Sequence, residues 1–118
     1  MNLELDVQTV LTTASLTAYQ KVAPQYEKGV FTVIRRLDSD ALQTLQGAVG
    51  VSRSDLVFES WAPTQSEAAT QREAVRTAIE AASTSLPHSF ELASGESGYD
   101  AENDRHMEPC AYSFWHDT

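Results

Sequence analysis

Between Asp55 and Glu67 the chain places a strand, a hard stop and a helix start in direct succession, and the rest must pack around that unit. Residues 55–61 alternate, with Leu56 and Phe58 on one face and Val57, Glu59 and Trp61 on the other. This is the period-two pattern of a strand, rich in β-branched and aromatic side chains. Pro63 lacks an amide hydrogen and holds Ala62 extended, so the strand stops there. Thr64 and Glu67 have capping-box spacing, in which each side chain satisfies a free backbone N–H at the start of a helix. The helix is predicted from Ser66 to about Ser83, with Ala68, Val75, Ile79, Ala82 and Leu86 on one face. Glu67, Arg72, Glu73, Arg76 and Glu80 occupy the remainder.

The flanking segments follow the same periodicities. Leu3, Val7, Val10, Leu11, Ala14 and Ala18 recur at helical spacing and predict a first helix reaching Val22-Ala23, where Pro24 disfavours helical geometry. Its threonines are mediocre helix formers, so it depends on packing. Gln25 to Gly29 reads as a short connection, and Val30 to Leu37 as a β-branched strand. Residues 38–51 read either as one helical turn capped by Asp38 or as the far end of a long hairpin with its tip at Gly47 to Gly50. The hairpin is preferred, because Arg53 to Trp61 needs an antiparallel partner and the preceding strand is nearest in sequence. After the central helix, Pro87 opens an extended segment, His88 to Ala93, with Phe90 and Leu92 inward. Ser94 to Arg105 is polar and acidic and reads as a mobile surface loop. Pro109 to His116 closes the chain as a strand. The expectation is a single α+β domain over 1–118, a small mostly antiparallel sheet of about four strands packed with two helices, in the order α-β-β-α-β-β.

Composition removes several function classes. With 8 basic and 17 acidic residues the net charge is −9. Such a chain releases no counterions from a nucleic-acid backbone, so DNA or RNA binding is not expected. No apolar run approaches the ~18–20 residues of a membrane span, and the acidic start at Met1 to Asp6 lacks the features of a secretory signal. A single cysteine, Cys110, excludes an internal disulfide and suits a reducing cytoplasm.

Chemistry-bearing patterns are sparse. His106 and Cys110 stand four residues apart, but no CxxC or HExxH is present, and His88 and His116 add no ligand spacing. Cys110 is read as a small buried hydrophobe and the histidines as surface residues. A Cys–His nucleophile pair has no third orienting group. Glu96, Asp100, Glu102 and Asp104 lack the EF-hand order, and a solvated acidic loop is the default. There is no P-loop and no GxGxxG, and Trp61 and Trp115 read as core or interface anchors. No catalytic residue, metal site or cofactor is expected.

A set of short stretches resembles one family. Val22-Ala23-Pro24, then Phe31 to Leu37, then a glycine-containing tip, then Ser54-Asp55-Leu56-Val57-Phe58-Glu59-Ser60-Trp61-Ala62-Pro63-Thr64-Gln65-Ser66-Glu67-Ala68, is similar to the tail completion, or tail terminator, proteins of long-tailed bacteriophages. Those proteins have a strand ending in Trp-Ala, a Thr or Ser helix start, a helix with repeated Ala and Val, and an aromatic last strand after an acidic loop. Tyr112-Ser113-Phe114-Trp115-His116 is similar to that last strand, while Gly29-Val30 stands where the family usually has a proline.

The resemblance implies a structural protein of the virion. It would form a ring, typically of six copies, at the head-proximal end of the tail tube, ending tube polymerisation and joining the tail to the head connector or neck protein. The alternative is a small acidic inhibitor or immunity-type protein that masks a basic partner surface; a small hydrolase has almost no residue support. In a head-to-tail ring the acidic loop is a candidate contact surface. Tyr99 is its anchor, and Glu96, Asp100, Glu102 and Asp104 are carboxylates able to pair with arginines. Arg35, Arg36 and Arg53 form the basic cluster available on a neighbouring copy. The competing reading of the loop is solvated surface.

Overall fold

The computed structural model describes residues 3–20, 29–36, 51–82, 90–91, 97–102 and 104–117. Its elements are α1 (Leu3–Thr13), β1 (Ala18–Gln20), β2 (Phe31–Arg36), β3 (Val51–Ala62), α2 (Gln65–Ala81), β4 (Phe90–Glu91), β5 (Gly98–Asp100) and β6 (Arg105–Asp117). The fold is α+β: two helices and a mostly antiparallel sheet in the order β1-β2-β3-β6-β4, with β5 also pairing β6.

The spine is the long β3–β6 ladder, running from Val51 opposite Asp117 to Ala62 opposite His106. On its other edge β3 takes β2 antiparallel, Phe31 opposite Trp61 and Arg36 opposite Leu56. The nearest-neighbour pairing of the first two predicted strands is therefore what forms. Alternation on β3 follows the sequence pattern, with Leu56 and Phe58 fully buried and Val57, Glu59 and Trp61 half-buried on the opposite face. Leu56, Phe58, Ile34, Cys110, Tyr112 and Phe114 meet Leu3, Val7 and Leu11 of α1 and Val75 and Ile79 of α2 in one core. The Phe58 ring stands edge-on to Tyr112 and Phe114, with centroids 6.1 and 6.3 Å away. The face away from the helices is also partly dry: Phe31, Val33, Ala111 and Ser113 are buried there.

Helix α2 starts where the cap predicts. Thr64 is extended (φ −125°, ψ 154°) and its Oγ1 accepts the Glu67 amide at 3.2 Å. The second half of the capping box differs: the Glu67 carboxylate accepts the Thr64 hydroxyl, at 2.9 Å, in place of a backbone N–H. Ala68, Val75, Ala78 and Ile79 are buried along one stripe, and Gln71 fills a stripe position as well. Gln71 Nε2 donates to Thr32 Oγ1 at 3.0 Å, and the Thr32 and Ser60 hydroxyls lie 3.3 Å apart, so this buried polar trio is satisfied internally.

The first helix is shorter than its periodicity predicts. It stops at Thr13, and Ala18–Gln20 is a strand parallel to β2. Ser15 adopts a left-handed φ of 66°, Leu16 N–H donates to Leu11 O at 2.9 Å, and Ser15 N–H donates to Thr12 O at 2.9 Å. These are the two bonds of a Schellman ending. Ala14, predicted on the apolar stripe, is exposed. Gln8 of α1 then props the new edge strand, its Nε2 donating to Ala18 O at 2.8 Å while its Oε1 accepts Gln20 Nε2 at 2.7 Å.

Strand number and order also change from the expected α-β-β-α-β-β. The described order has three strands before α2 and three after it. Within the segment read as a loop, Gly98–Asp100 forms β5, and β6 begins at Arg105 rather than Pro109. The two pair from Gly98 opposite Met107 to Asp100 opposite Arg105, making a hairpin. The predicted turn or hairpin tip at 38–50, the connection at 25–28, Leu86 and most of 88–93 lie outside the described residues.

Candidate partner-binding surface

The β5–β6 hairpin is an arm rather than a loose loop, because its polar residues satisfy one another. The Tyr99 hydroxyl donates to Asp104 Oδ1 at 2.7 Å, and its ring stacks on His106 with centroids 4.8 Å apart. Asp100 Oδ1 accepts the Glu102 amide at 3.1 Å, closing the turn, in which Asp104 takes a left-handed φ of 51°. Arg105 is directed back to the body: its Nη1 donates to Gly29 O at 2.8 Å and its guanidinium lies 5.3 Å from the Phe31 ring centroid. Tyr99 remains 55% exposed, and with Leu5 it is a large apolar side chain open to solvent. Its phenol pKa is raised, first by the hydrogen bond to Asp104, then by desolvation and by the negative charges of Asp104 and Asp100.

Arg35 and Arg36, expected to meet the arm from a neighbouring copy, lie near the middle of the long ladder, with β3 and β6 between β2 and β5. Arg35 and Arg36 face Val57 and Leu56, five and six residues along β3 from Ala62, which faces His106. That is roughly 17–20 Å along a strand. Arg35 Nε pairs with Glu59 Oε1 at 2.8 Å across β2 and β3. Arg36 pairs with Glu4 of α1, its Nε at 2.7 Å, and also reaches Ser54 Oγ at 3.3 Å. Arg53 is placed opposite Trp115, where the β3–β6 ribbon runs beyond the end of β2. Within one chain the arm and these arginines are thus separate, and each of Arg35 and Arg36 has a carboxylate of its own. Arg35 is nonetheless 54% exposed, and a guanidinium has five N–H donors, enough for a second carboxylate. Glu96 lies outside the described residues.

Metal and nucleophile chemistry gain no support from the geometry. Cys110 and His106 stand on one strand four residues apart, about 13 Å at strand rise, with Cys110 fully buried and His106 stacked on Tyr99. Among the described residues no group of three or more His, Cys, Asp or Glu side chains could hold a metal ion. Also among the described residues, no helix is long and apolar enough to cross a membrane.

Sequence reasoning missed Glu108. It is buried on β6, 3.6 Å from Arg72 Nη1 and 3.5 Å from Gln65 Nε2, and it accepts the Ser97 hydroxyl. The signal was faint: a glutamate ahead of Pro109, just outside the strand as it was read.

No protein-family model matches the chain, and no curated protein matches it significantly.

Proposed function

We propose that this protein is a structural, non-enzymatic component of a phage or prophage virion, a ring-forming subunit at the head-proximal end of the tail tube. In this reading the ring, of six copies, ends tube polymerisation and carries the surface that joins the tail to the head connector or neck protein. The observation that carries it is the separation of two candidate contact surfaces on one domain. The carboxylate-bearing arm with its exposed Tyr99 and the half-exposed Arg35 stand on separate parts of the domain, with β6 and β3 between β5 and β2. Head-to-tail contact would bring the arm of one copy to Arg35 of the next, whose guanidinium has donors beyond its bond to Glu59, and an interface of that kind closes a ring. The strand, stop and capped helix on which the family resemblance rests fold as one unit, which is compatible with that reading.

The second reading is a monomeric acidic inhibitor, favoured by the same arm if its partner is a basic enzyme surface rather than another copy. Light scattering of the full chain over a concentration series tests the two. A mass of six chains, with rings under the electron microscope, supports the tail reading. A strict monomer at every concentration rejects it and leaves the inhibitor.

A further inference from the structure

Water barely reaches the Glu108 carboxylate, whose side chain is 8% exposed. Its Oε1 accepts Gln65 Nε2 at 3.5 Å, from the first residue of α2. Its Oε2 lies 3.6 Å from Arg72 Nη1, in the second turn of the same helix, and accepts the Ser97 hydroxyl. Ser97 directly precedes β5. One buried carboxylate therefore joins helix α2 to the root of the arm.

The sheet has a reason to need a fixed point there. Glu91 faces Tyr112 and Gly98 faces Met107, so seven steps along the edge span only five along β6. Within that interval β6 carries Pro109, which has no N–H to give a ladder. The Ser97–Glu108 bond sits at the start of β5, where Gly98 pairs Met107. At that point the edge lies close on β6: a Cβ on Gly98 would stand 3.1 Å from Met107 Cε.

We propose that Glu108 is a positioning residue that latches the root of the β5–β6 arm to α2. The latch holds Tyr99 and the tip carboxylates in one direction before a partner arrives, so association does not bear the cost of ordering them. Its contribution to docking rests on the ring reading above; the latch itself does not.

Ser97→Ala removes the hydroxyl from an exposed residue without touching the core, and Ser97→Thr restores it. Hydrogen exchange on the full chain is expected to quicken about fivefold at the amides of residues 98–107 in Ser97→Ala, with β3 and α2 unchanged. Ser97→Thr should return the arm to wild-type exchange. Equal exchange in all three proteins overturns the latch. Sedimentation of the same samples then reads the docking role: weaker self-association in Ser97→Ala supports it, and a loosened arm with undiminished association overturns it. A wild-type monomer rejects the ring reading, while the exchange comparison still decides the latch.

Discussion

Ser15 ends helix α1 with neither a glycine nor a nearby proline. Its φ of 66° costs a non-glycine residue about 1 kcal/mol, offset by the two Schellman bonds and by Leu16, which packs against the core. Ser15→Gly removes the strain while leaving both bonds, and should stabilise the protein by up to about 1 kcal/mol in urea melts. A loss of stability would mean that the Ser15 side chain contributes something the turn geometry does not. Tyr99 is the other residue whose local chemistry makes a sharp prediction. Its native pKa lies above the ordinary value of 10.0, chiefly because its hydroxyl donates a hydrogen bond to Asp104. The native state then binds that proton more tightly than the unfolded chain does. The contribution is complete below about pH 10 and is lost as pH rises through the higher native value. Phenolate absorbance, taken as the difference between wild type and Tyr99→Phe, should show a midpoint above the ordinary one, and Asp104→Asn should bring it down. An unshifted midpoint in wild type would remove the hydrogen bond from the description of the arm.

At the scale of elements, β3 and α2 depend on different forces. Phe58 is fully buried in the core and in ring contact with Tyr112 and Phe114. Phe58→Ala should cost about 3–5 kcal/mol, read as a shift in the denaturant midpoint. An unchanged midpoint would contradict the packing of β3 against α2. Thr64 is exposed and acts only through the first turn of α2, where it accepts the Glu67 amide. Thr64→Ala should cost about 1 kcal/mol and leave association intact at moderate temperature. If it abolished partner binding without lowering stability, the stretch after Pro63 would be an interface rather than punctuation. Among the described residues the edge strands of the sheet are short. β1 has three residues and its Ala18 carbonyl is taken by Gln8, while the other edge is divided between β4 and β5. Short edge strands discourage strand-to-strand aggregation.

For the whole molecule, the ring reading sets a net charge of −9 against local pairing at the arm, so association would be a contest between general repulsion and that pairing. Tyr99→Ala combined with Asp100→Asn, Glu102→Gln and Asp104→Asn removes the local pairing but touches no core residue. Self-association measured by sedimentation should weaken while the melting temperature of the monomer stays near wild type. Added salt should weaken wild-type association more than that of the variant, since screened pairs are what the variant has already lost. Unchanged assembly would make the arm solvated surface, the competing reading of its sequence.

What the sequence determined by itself was whatever local physics could settle. The alternation around Leu56 and Phe58, the stop at Pro63 and the Thr64 cap produced β3 and α2 within a residue or two at the α2 start, because each signal acts over a few neighbours. The pairing of β2 with β3 followed from adjacency in the chain. Tertiary structure decided the rest. Ala18–Gln20 continues a helical stripe in sequence but becomes a strand because Thr32 to Ile34 offer it a ladder. Gly98–Asp100 is polar, acidic and glycine-bearing, and it pairs only because β6 extends past Pro109 to Arg105. Glu108 is buried because Arg72, Gln65 and Ser97 converge on it from 36, 43 and 11 residues away in the chain. Such contacts have no periodicity to announce them; they exist only once β3, β6 and α2 are already in place.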